Sequence, residues 1–163
     1  MRMATPLGPL RIEGTDDAVT AVRWETGAVG DPSPGSGDGA AVEAGEPGAE
    51  AAAVLAAAAQ LAEYFAGDRR TFDVPVDLTG VGRFQRQVLD LTVAIPYGCT
   101  RAYGELAVDL GDRSVVRAVG GALKHNPVAV IVPCHRVVAA DGALTGYGGG
   151  LGCKQALIDL EKR

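Results

Sequence analysis

The sequence predicts an α/β fold, with a small N-terminal α/β domain followed by a mostly helical C-terminal domain. Two short β-prone runs open the chain, an alanine-rich helical pattern follows them, and beyond residue 82 the apolar residues recur at helical spacing. A length of 163 residues allows one sizeable domain or two small ones. Because Thr79–Gly82 reads as a hinge, we expect one domain over 1–80 and another over 81–163.

The first two elements form a predicted hairpin. Leu7–Gly14 and Ala18–Trp24 are β-prone, and the polar turn 15–17 separates them. Residues 26–50 then lose all periodicity and are dominated by Gly, Pro, Ser, Asp and Glu. Such a composition buries too little apolar surface to offset the entropy of ordering, so we expect a mobile acidic loop there.

A helix and a strand should complete the N-terminal domain. Apolar residues recur every three or four positions over 51–66, which predicts a helix that ends at Gly67. Thr71–Leu78 alternates between apolar and polar residues and predicts a strand. Pro75 should place that strand at a sheet edge, because proline has no N–H for a ladder.

The C-terminal half predicts three helices in succession. Phe84, Val88 and Leu91 mark the first helix, which should stop before Pro96. We expect Thr100 to cap a second helix and Ser114 to cap a third. Two short helices joined by a tight glycine-containing turn are typical of a helix-turn-helix, although any helical hairpin gives the same pattern.

The third helix carries two consecutive glycines, Gly120 and Gly121. Glycine inside a helix is unfavourable by roughly 1 kcal/mol relative to alanine, so something should approach this backbone closely. One interpretation is tight packing against another helix. The other is a narrow face that enters a DNA groove, with Arg117 as its long cationic side chain.

Cys134 and His135 lie side by side in the apolar run 131–138. A thiolate is a strong nucleophile, and a neighbouring proton acceptor lowers its pKa from about 8.5. Adjacent residues of an extended segment point in opposite directions, so we expect a water to link the two side chains. The alternative is a core cysteine that packs as a small hydrophobe.

Composition restricts the class of protein. No stretch reaches the length of a membrane span and no signal peptide is recognisable, so we expect a soluble cytoplasmic protein. The three cysteines fit free thiols in a reducing compartment. Residues 1–82 hold 5 basic and 13 acidic residues, a net of −8, whereas 83–163 hold 10 and 7, a net of +3. This asymmetry allows the C-terminal half to bind nucleic acid.

Several motifs occur in the order of a known family. The succession resembles that of the O6-alkylguanine-DNA alkyltransferases, also called methylated-DNA–protein-cysteine methyltransferases. The matching segments are Phe84-Gln85, Ile95-Pro96-Tyr97-Gly98, Tyr103-Gly104-Glu105-Leu106-Ala107, Arg117-Ala118-Val119-Gly120, Asn126-Pro127, Pro133-Cys134-His135-Arg136-Val137 and Gly146-Tyr147-Gly148-Gly149-Gly150-Leu151.

The resemblance implies both a fold and an activity. It implies a ribonuclease H-like N-terminal domain and a winged helix-turn-helix that lies in the DNA minor groove. The expected reaction is single-use transfer of the alkyl group from O6-alkylguanine, and from O4-alkylthymine, in double-stranded DNA. Arg117 would take the place of the extruded base, and Cys134 would accept the alkyl group. No metal or cofactor is implied, and we expect a monomer.

The resemblance also implies a role for each site residue. His135 would take the proton of Cys134 through water, Glu161 would orient His135, and Asn126 would tie the preceding turn to the cysteine. Tyr103 would crowd the 3′ phosphate and offer a proton to guanine N3. The residues implied in DNA binding are Arg117, Tyr103, Ala118, Gly120, Gly121 and Ser114, and those implied in the substrate pocket are Tyr147, Gly148, Val137 and Ala129.

Three other classes of protein remain as alternatives. A non-catalytic lesion-binding relative would keep Arg117 but lose the cysteine. A helix-turn-helix transcription factor would not need the Pro-Cys-His run, and its footprint would be indifferent to lesions. A cysteine hydrolase would turn over acyl substrates.

Overall fold

The structure is a computed structural model that describes residues 1–25 and 51–163; the acidic loop expected at 26–50 lies outside these ranges. It contains a small N-terminal sheet with one helix, followed by a helical C-terminal half, which confirms the predicted α/β class. Within the described ranges, no helix has the length and apolar character needed to cross a membrane.

The N-terminal sheet has three antiparallel strands in the order β1-β2-β3. They span Arg2–Met3, Leu10–Gly14 and Val19–Trp24. The register of Leu10 opposite Trp24 confirms the predicted hairpin. The predicted helix is also confirmed: α1 covers Ala52–Ala66, packs on this sheet and ends at Gly67.

The strand predicted over Thr71–Leu78 is wrong. Only Val76 pairs, in an isolated parallel bridge with Val19. The bridge consists of two hydrogen bonds of 2.9 Å, from Val19 N to Pro75 O and from Asp77 N to Val19 O. Because Pro75 has no N–H to continue a ladder, the segment only touches the sheet edge.

The C-terminal half contains four helices and a two-stranded parallel sheet. Its elements are α2 (Arg83–Val93), β4 (Arg101–Ala102), α3 (Tyr103–Asp109), α4 (Val116–Lys124), β5 (Val137–Val138) and α5 (Leu151–Glu161), with short 3₁₀ turns at Arg113–Val115 and Cys134–Arg136. As predicted, α2 ends before Pro96. The β4–β5 pair joins the start of α3 to the segment that follows the cysteine.

Both predicted helix caps are wrong. Ala102 occupies the N-cap position of α3 instead of Thr100, and its N–H donates to the Glu105 carboxylate at 2.6 Å. Helix α3 begins after Ala102 because Arg101 and Ala102 form strand β4, which pairs with β5. Before α4, Asp112 is the capping side chain and accepts from the N–H of Ser114 at 2.8 Å. Hydrogen bonds from the side chain and the N–H of Ser114 lower the pKa of Asp112.

Backbone hydrogen bonds connect the N-terminal sheet to the segment before the cysteine. Val22 N donates to Pro127 O, and Ala129 N donates to Val22 O, each at 2.9 Å. Strand β3 therefore supports the chain that leads to Cys134. Buried side chains from both halves form one hydrophobic core around this connection.

Candidate active site

The thiol lies at the start of a tight turn. Pro133 has φ −82° and ψ 60°, and Cys134 N donates to Val132 O at 2.8 Å, which is an inverse γ-turn. The 3₁₀ turn Cys134–Arg136 follows directly. Cys134 is only 8% exposed, so little of the residue is accessible to a reactant.

Val130 has a strained backbone four residues before the thiol. Its φ is +72°, and Ile131 N donates to Ala129 O at 2.9 Å, the hydrogen bond of a γ-turn. A β-branched residue at positive φ costs on the order of 1–3 kcal/mol and persists only where the surroundings hold it. The bond from Ala129 N to Val22 O holds one side of this turn, and a proline at 129 would lose it.

Asn126 connects this segment to the sulfur. Its Nδ2 donates to Val132 O at 2.9 Å and to Cys134 Sγ at 3.2 Å. Its Oδ1 accepts from Val128 N at 3.0 Å. The side chain thus uses both ends of its amide, and it presents a donor to the sulfur. This donor favours a thiolate over a thiol.

The resting thiol is protonated. Burial raises the pKa of Cys134, and the hydrogen bond from Asn126 and the charge of Lys154 offset this only in part. A base is therefore needed to generate the thiolate at neutral pH.

His135 is fully buried and faces a carboxylate. Its Nε2 lies 2.8 Å from Glu161 Oε1. An N–H on Nε2 leaves Nδ1 as the acceptor of the neutral ring. Nδ1 is buried and has no hydrogen-bond partner among the described residues. Burial lowers the pKa of His135, while Glu161 opposes that effect, so the resting imidazole can accept a proton at Nδ1.

Glu161 receives hydrogen bonds from three further groups besides His135. Arg136 Nε donates to Oε2 and its Nη2 to Oε1, both at 2.9 Å. Gly98 N donates to Oε2 at 3.1 Å, and the Tyr64 hydroxyl to Oε1 at 2.7 Å. Burial alone would raise the pKa of Glu161, but the hydrogen bonds from His135, Arg136 and Tyr64 outweigh it and lower the pKa to about 2.

The hydrogen bond from Gly98 N to Glu161 requires a glycine at position 98. Its φ is +77°, and a Cβ there would lie 2.9 Å from the Glu161 carbonyl oxygen. Any side chain would strain the backbone and separate the Gly98 N–H from the carboxylate.

Sequence reasoning missed Tyr64, which comes from helix α1 of the N-terminal region. The residue is fully buried, and its hydroxyl reaches Glu161, 97 residues further along the chain. A buried tyrosine hydroxyl usually has a hydrogen-bond partner. A tyrosine three positions after Leu61 on the apolar face of α1 was therefore the available signal.

Lys154 was also missed, and it contacts Tyr103. The lysine is fully buried, and its Nζ donates to Thr145 O at 2.9 Å and to the Tyr103 hydroxyl at 3.3 Å. That hydroxyl itself donates to Thr145 O at 3.2 Å. The signal in the sequence was a lysine next to Cys153 on the apolar side of α5, since lysine is rarely fully buried without partners.

The glycine-rich segment near Tyr147 rests on the N-terminal sheet. Trp24 Nε1 donates to the Tyr147 hydroxyl at 3.2 Å. A Cβ on Gly149 would lie 2.6 Å from the Trp24 ring, so only glycine fits there. Burial raises the pKa of Tyr147 well above its usual value. Tyr147 and Ala129 are half-buried, Gly148 is exposed, and Val137 is fully buried.

The expected DNA face lies on α4 and the turn before it. Ser114, Arg117, Ala118 and Gly121 are exposed, and Gly120 is half-buried. A Cβ at Gly120 or Gly121 would meet no atom within 4 Å, so helix packing does not explain these glycines. Arg117 has no ion-pair partner in the part of the chain that the structure describes.

Two family models match almost the whole chain. The 6-O-methylguanine DNA methyltransferase ribonuclease-like domain matches residues 2–78, and the DNA binding domain of the same family matches residues 83–163. A methylated-DNA–protein-cysteine methyltransferase of Mycobacterium tuberculosis is 45% identical over 158 residues, which is 97% of this chain and 88% of the relative. One from Methanosarcina acetivorans is 41% identical and covers 96% and 94%.

Solved structures agree with these matches. The crystal structure of Mycobacterium tuberculosis O6-methylguanine methyltransferase superposes with a TM-score of 0.78 at 41% identity, over 99% of this chain and 90% of that one. A Mycobacterium tuberculosis OGT structure in complex with DNA gives a TM-score of 0.80 at 42% identity, over 99% and 91%.

Proposed function

Because this chain belongs to the 6-O-methylguanine DNA methyltransferase family, we propose that Cys134 is the residue that accepts the alkyl group. Members of the family are methylated-DNA–protein-cysteine methyltransferases, and the chain is an enzyme of this class that acts in DNA repair. The observation that supports Cys134 is that its sulfur accepts from the Asn126 amide while His135, paired with Glu161, follows it in the same 3₁₀ turn. Cys99 is exposed and Cys153 is buried on α5, and neither has such a setting.

The first step is removal of the thiol proton. A water between Cys134 Sγ and His135 Nδ1 passes the proton to the imidazole, which becomes a cation. Glu161 accepts from Nε2 and stabilises that cation, which is the usual arrangement of nucleophile, base and orienting group. The Asn126 donor stabilises the thiolate that remains.

The second step is an SN2 displacement at the alkyl carbon. The thiolate forms the S–C bond as the bond between that carbon and O6 breaks, and the electron pair moves into the guanine. Tyr103 supplies a proton to guanine N3, and the ammonium of Lys154 stabilises the phenolate oxygen that remains on Tyr103. The products are guanine and S-alkylcysteine. Since a thioether is a poor leaving group, no step restores the thiol, and each molecule reacts once.

DNA engagement requires extrusion of the damaged base. O6 is stacked inside a duplex, and Cys134 is almost buried, so the nucleotide must rotate into the protein at a cost of a few kcal/mol. The exposed small residues of α4 allow close approach to the minor groove, and Arg117 fills the vacated space. Tyr147, Gly148, Ala129 and the backbone groups of Val137 line the pocket for the extruded base.

Further properties belong to the same proposal. The target includes O4-alkylthymine, and the protein acts as a monomer. The domains divide at residues 80–81, within the gap between the two matched regions. The helix-turn-helix of α3 and α4 belongs to a winged type, with the segment after β5 as its wing.

Mass spectrometry of the protein mixed with duplex DNA that bears one O6-methylguanine tests the proposal. We expect one added methyl group per molecule, on the peptide that contains Cys134. A Cys134→Ser variant should gain none, and the matched Cys153→Ser variant should react like the wild type. Tight lesion-dependent binding without a mass gain would instead assign the protein to the lesion-binding class.

A further inference from the structure

One group near the proton relay has no part in the mechanism above. It is the hydroxyl of Tyr64, which comes from α1 in the N-terminal region. The ring is enclosed by three aromatic neighbours, with ring centroids 5.4 Å away at Phe65, 5.5 Å at Phe72 and 6.2 Å at Tyr97. This packing fixes the direction in which the hydroxyl points.

The hydroxyl and the imidazole share one carboxylate oxygen. Glu161 Oε1 lies 2.7 Å from the Tyr64 oxygen and 2.8 Å from His135 Nε2. The Tyr64 oxygen lies 3.4 Å from the same Nε2. Burial raises the pKa of Tyr64, so the hydroxyl keeps its proton and remains a donor across the working pH range.

A shared acceptor weakens each of its hydrogen bonds. The Tyr64 donor withdraws charge from Oε1, and Oε1 is the atom that stabilises a protonated His135. Without this donor, Oε1 would interact more strongly with the imidazole and favour the cation. Glu161 would still be held in place by Arg136 and Gly98.

We propose that Tyr64 is a positioning residue that limits the basicity of His135, so that the imidazole stays neutral at rest and can accept the Cys134 proton. The inference rests on the proposed function, because it concerns the base of that reaction. It gives the N-terminal domain a direct influence on alkyl transfer.

Other titratable groups also face the relay. They are Arg136 on the 3₁₀ turn, Lys154 on α5, Tyr97 before β4, Cys134 and Tyr147. A shift caused by loss of the Tyr64 hydroxyl reports on its two contacts at the relay, the 2.7 Å hydrogen bond to Glu161 Oε1 and the 3.4 Å approach to His135 Nε2.

The test is the pH dependence of the single-turnover methyl-transfer rate in a Tyr64→Phe variant. The more basic His135 should move the acid limb of the profile to higher pH by roughly 0.5 unit, while the plateau rate stays within about threefold of the wild type. A Tyr97→Phe variant is the matched control, because among the described residues its hydroxyl has one hydrogen bond, to Leu160 O at 3.4 Å, and its profile should not move.

A second measurement observes His135 without the reaction. The chain has only two histidines, His125 and His135, so their ring signals in an NMR titration are simple to assign, and exposed His125 is an internal reference. The pKa of His135 should rise in Tyr64→Phe. If that variant does not fold, a ring-fluorinated tyrosine at position 64 is a stronger donor and should move the acid limb to lower pH.

The outcomes separate the two proposals. If the wild type gains no methyl group, the proposed function fails. If the wild type reacts but Tyr64→Phe keeps the same acid limb, or loses rate equally at every pH, the inference about Tyr64 is wrong while the proposed function stands.

Discussion

The N-terminal region, residues 1–82, and the C-terminal region, residues 83–163, contribute different kinds of groups to one site. The C-terminal region supplies the thiol, the imidazole and the carboxylate, with Arg136 and Lys154 as buried cations. The N-terminal region supplies the Tyr64 hydroxyl, the Trp24 N–H and the backbone of Val22. The groups proposed to react are charged or become charged, whereas the supporting groups are neutral.

This difference predicts how each region responds to substitution. Removal of one partner from a buried charge pair leaves the other charge unpaired, which costs several kcal/mol. Loss of a neutral hydrogen bond costs about 1 kcal/mol. Substitutions in the C-terminal region should therefore have large effects, and those in the N-terminal region should mainly adjust the site.

The largest effect is expected for Glu161→Gln. The amide leaves buried Arg136 without a counter-charge and places an NH₂ group toward donors, so the free energy of unfolding should fall by about 3–5 kcal/mol. Alkyl transfer should fall with it. Urea denaturation and single-turnover rates measure both. Asp159→Asn on the same helix is the control, because Asp159 is exposed and should change stability by less than about 0.5 kcal/mol.

Acid should remove the contribution of the Glu161 carboxylate to the free energy of unfolding. The pKa of Glu161 is about 2 in the folded protein, below its usual 4.5, so its contribution is fully present above pH 4.5 and is lost as pH falls toward 2. It amounts to about 3 kcal/mol. Urea denaturation between pH 6 and pH 3 should show the stability gap between wild type and Glu161→Gln narrowing. A constant gap would contradict the role given to this carboxylate.

An intermediate effect separates DNA engagement from chemistry. Arg117→Ala should lower the transfer rate on alkylated duplex DNA by about tenfold or more, since a specific arginine contact contributes roughly 1–3 kcal/mol. The rate with the free base O6-benzylguanine should stay unchanged. Arg86→Ala removes the same charge from α2, where Arg86 pairs with Asp90 at 3.1 Å, and it should affect neither rate strongly. An equal fall in the transfer rate on both substrates would show that Arg117 does not act through DNA binding.

The smallest effect is expected where the N-terminal sheet meets the glycine-rich segment. Trp24→Phe and Tyr147→Phe each remove one partner of the 3.2 Å hydrogen bond, so each should destabilise the protein by about 1 kcal/mol. A double-mutant cycle measured by circular dichroism should show a coupling energy of about 0.5–1.5 kcal/mol. Strict additivity would mean that this contact contributes nothing to stability.

Local patterns in the sequence were sufficient for most elements. The hairpin, α1 and α2 follow from periodicity, glycine and proline positions, which depend on residues within a few positions of each other. The strand expected at 71–78 and the two helix caps were wrong, because pairing with distant segments decided them. The roles of all the site residues, Cys134 and His135 included, remain predictions.

The sequence by itself determined which chemical groups the protein has and which family it belongs to, since a thiol beside an imidazole in a fixed succession of motifs is a local property. Only the tertiary structure decided which groups support that thiol. Tyr64 lies 97 positions from Glu161, and Trp24 lies 123 positions from Tyr147. The positive φ of Val130 has no local signal either, because valine disfavours it and the surrounding fold imposes it.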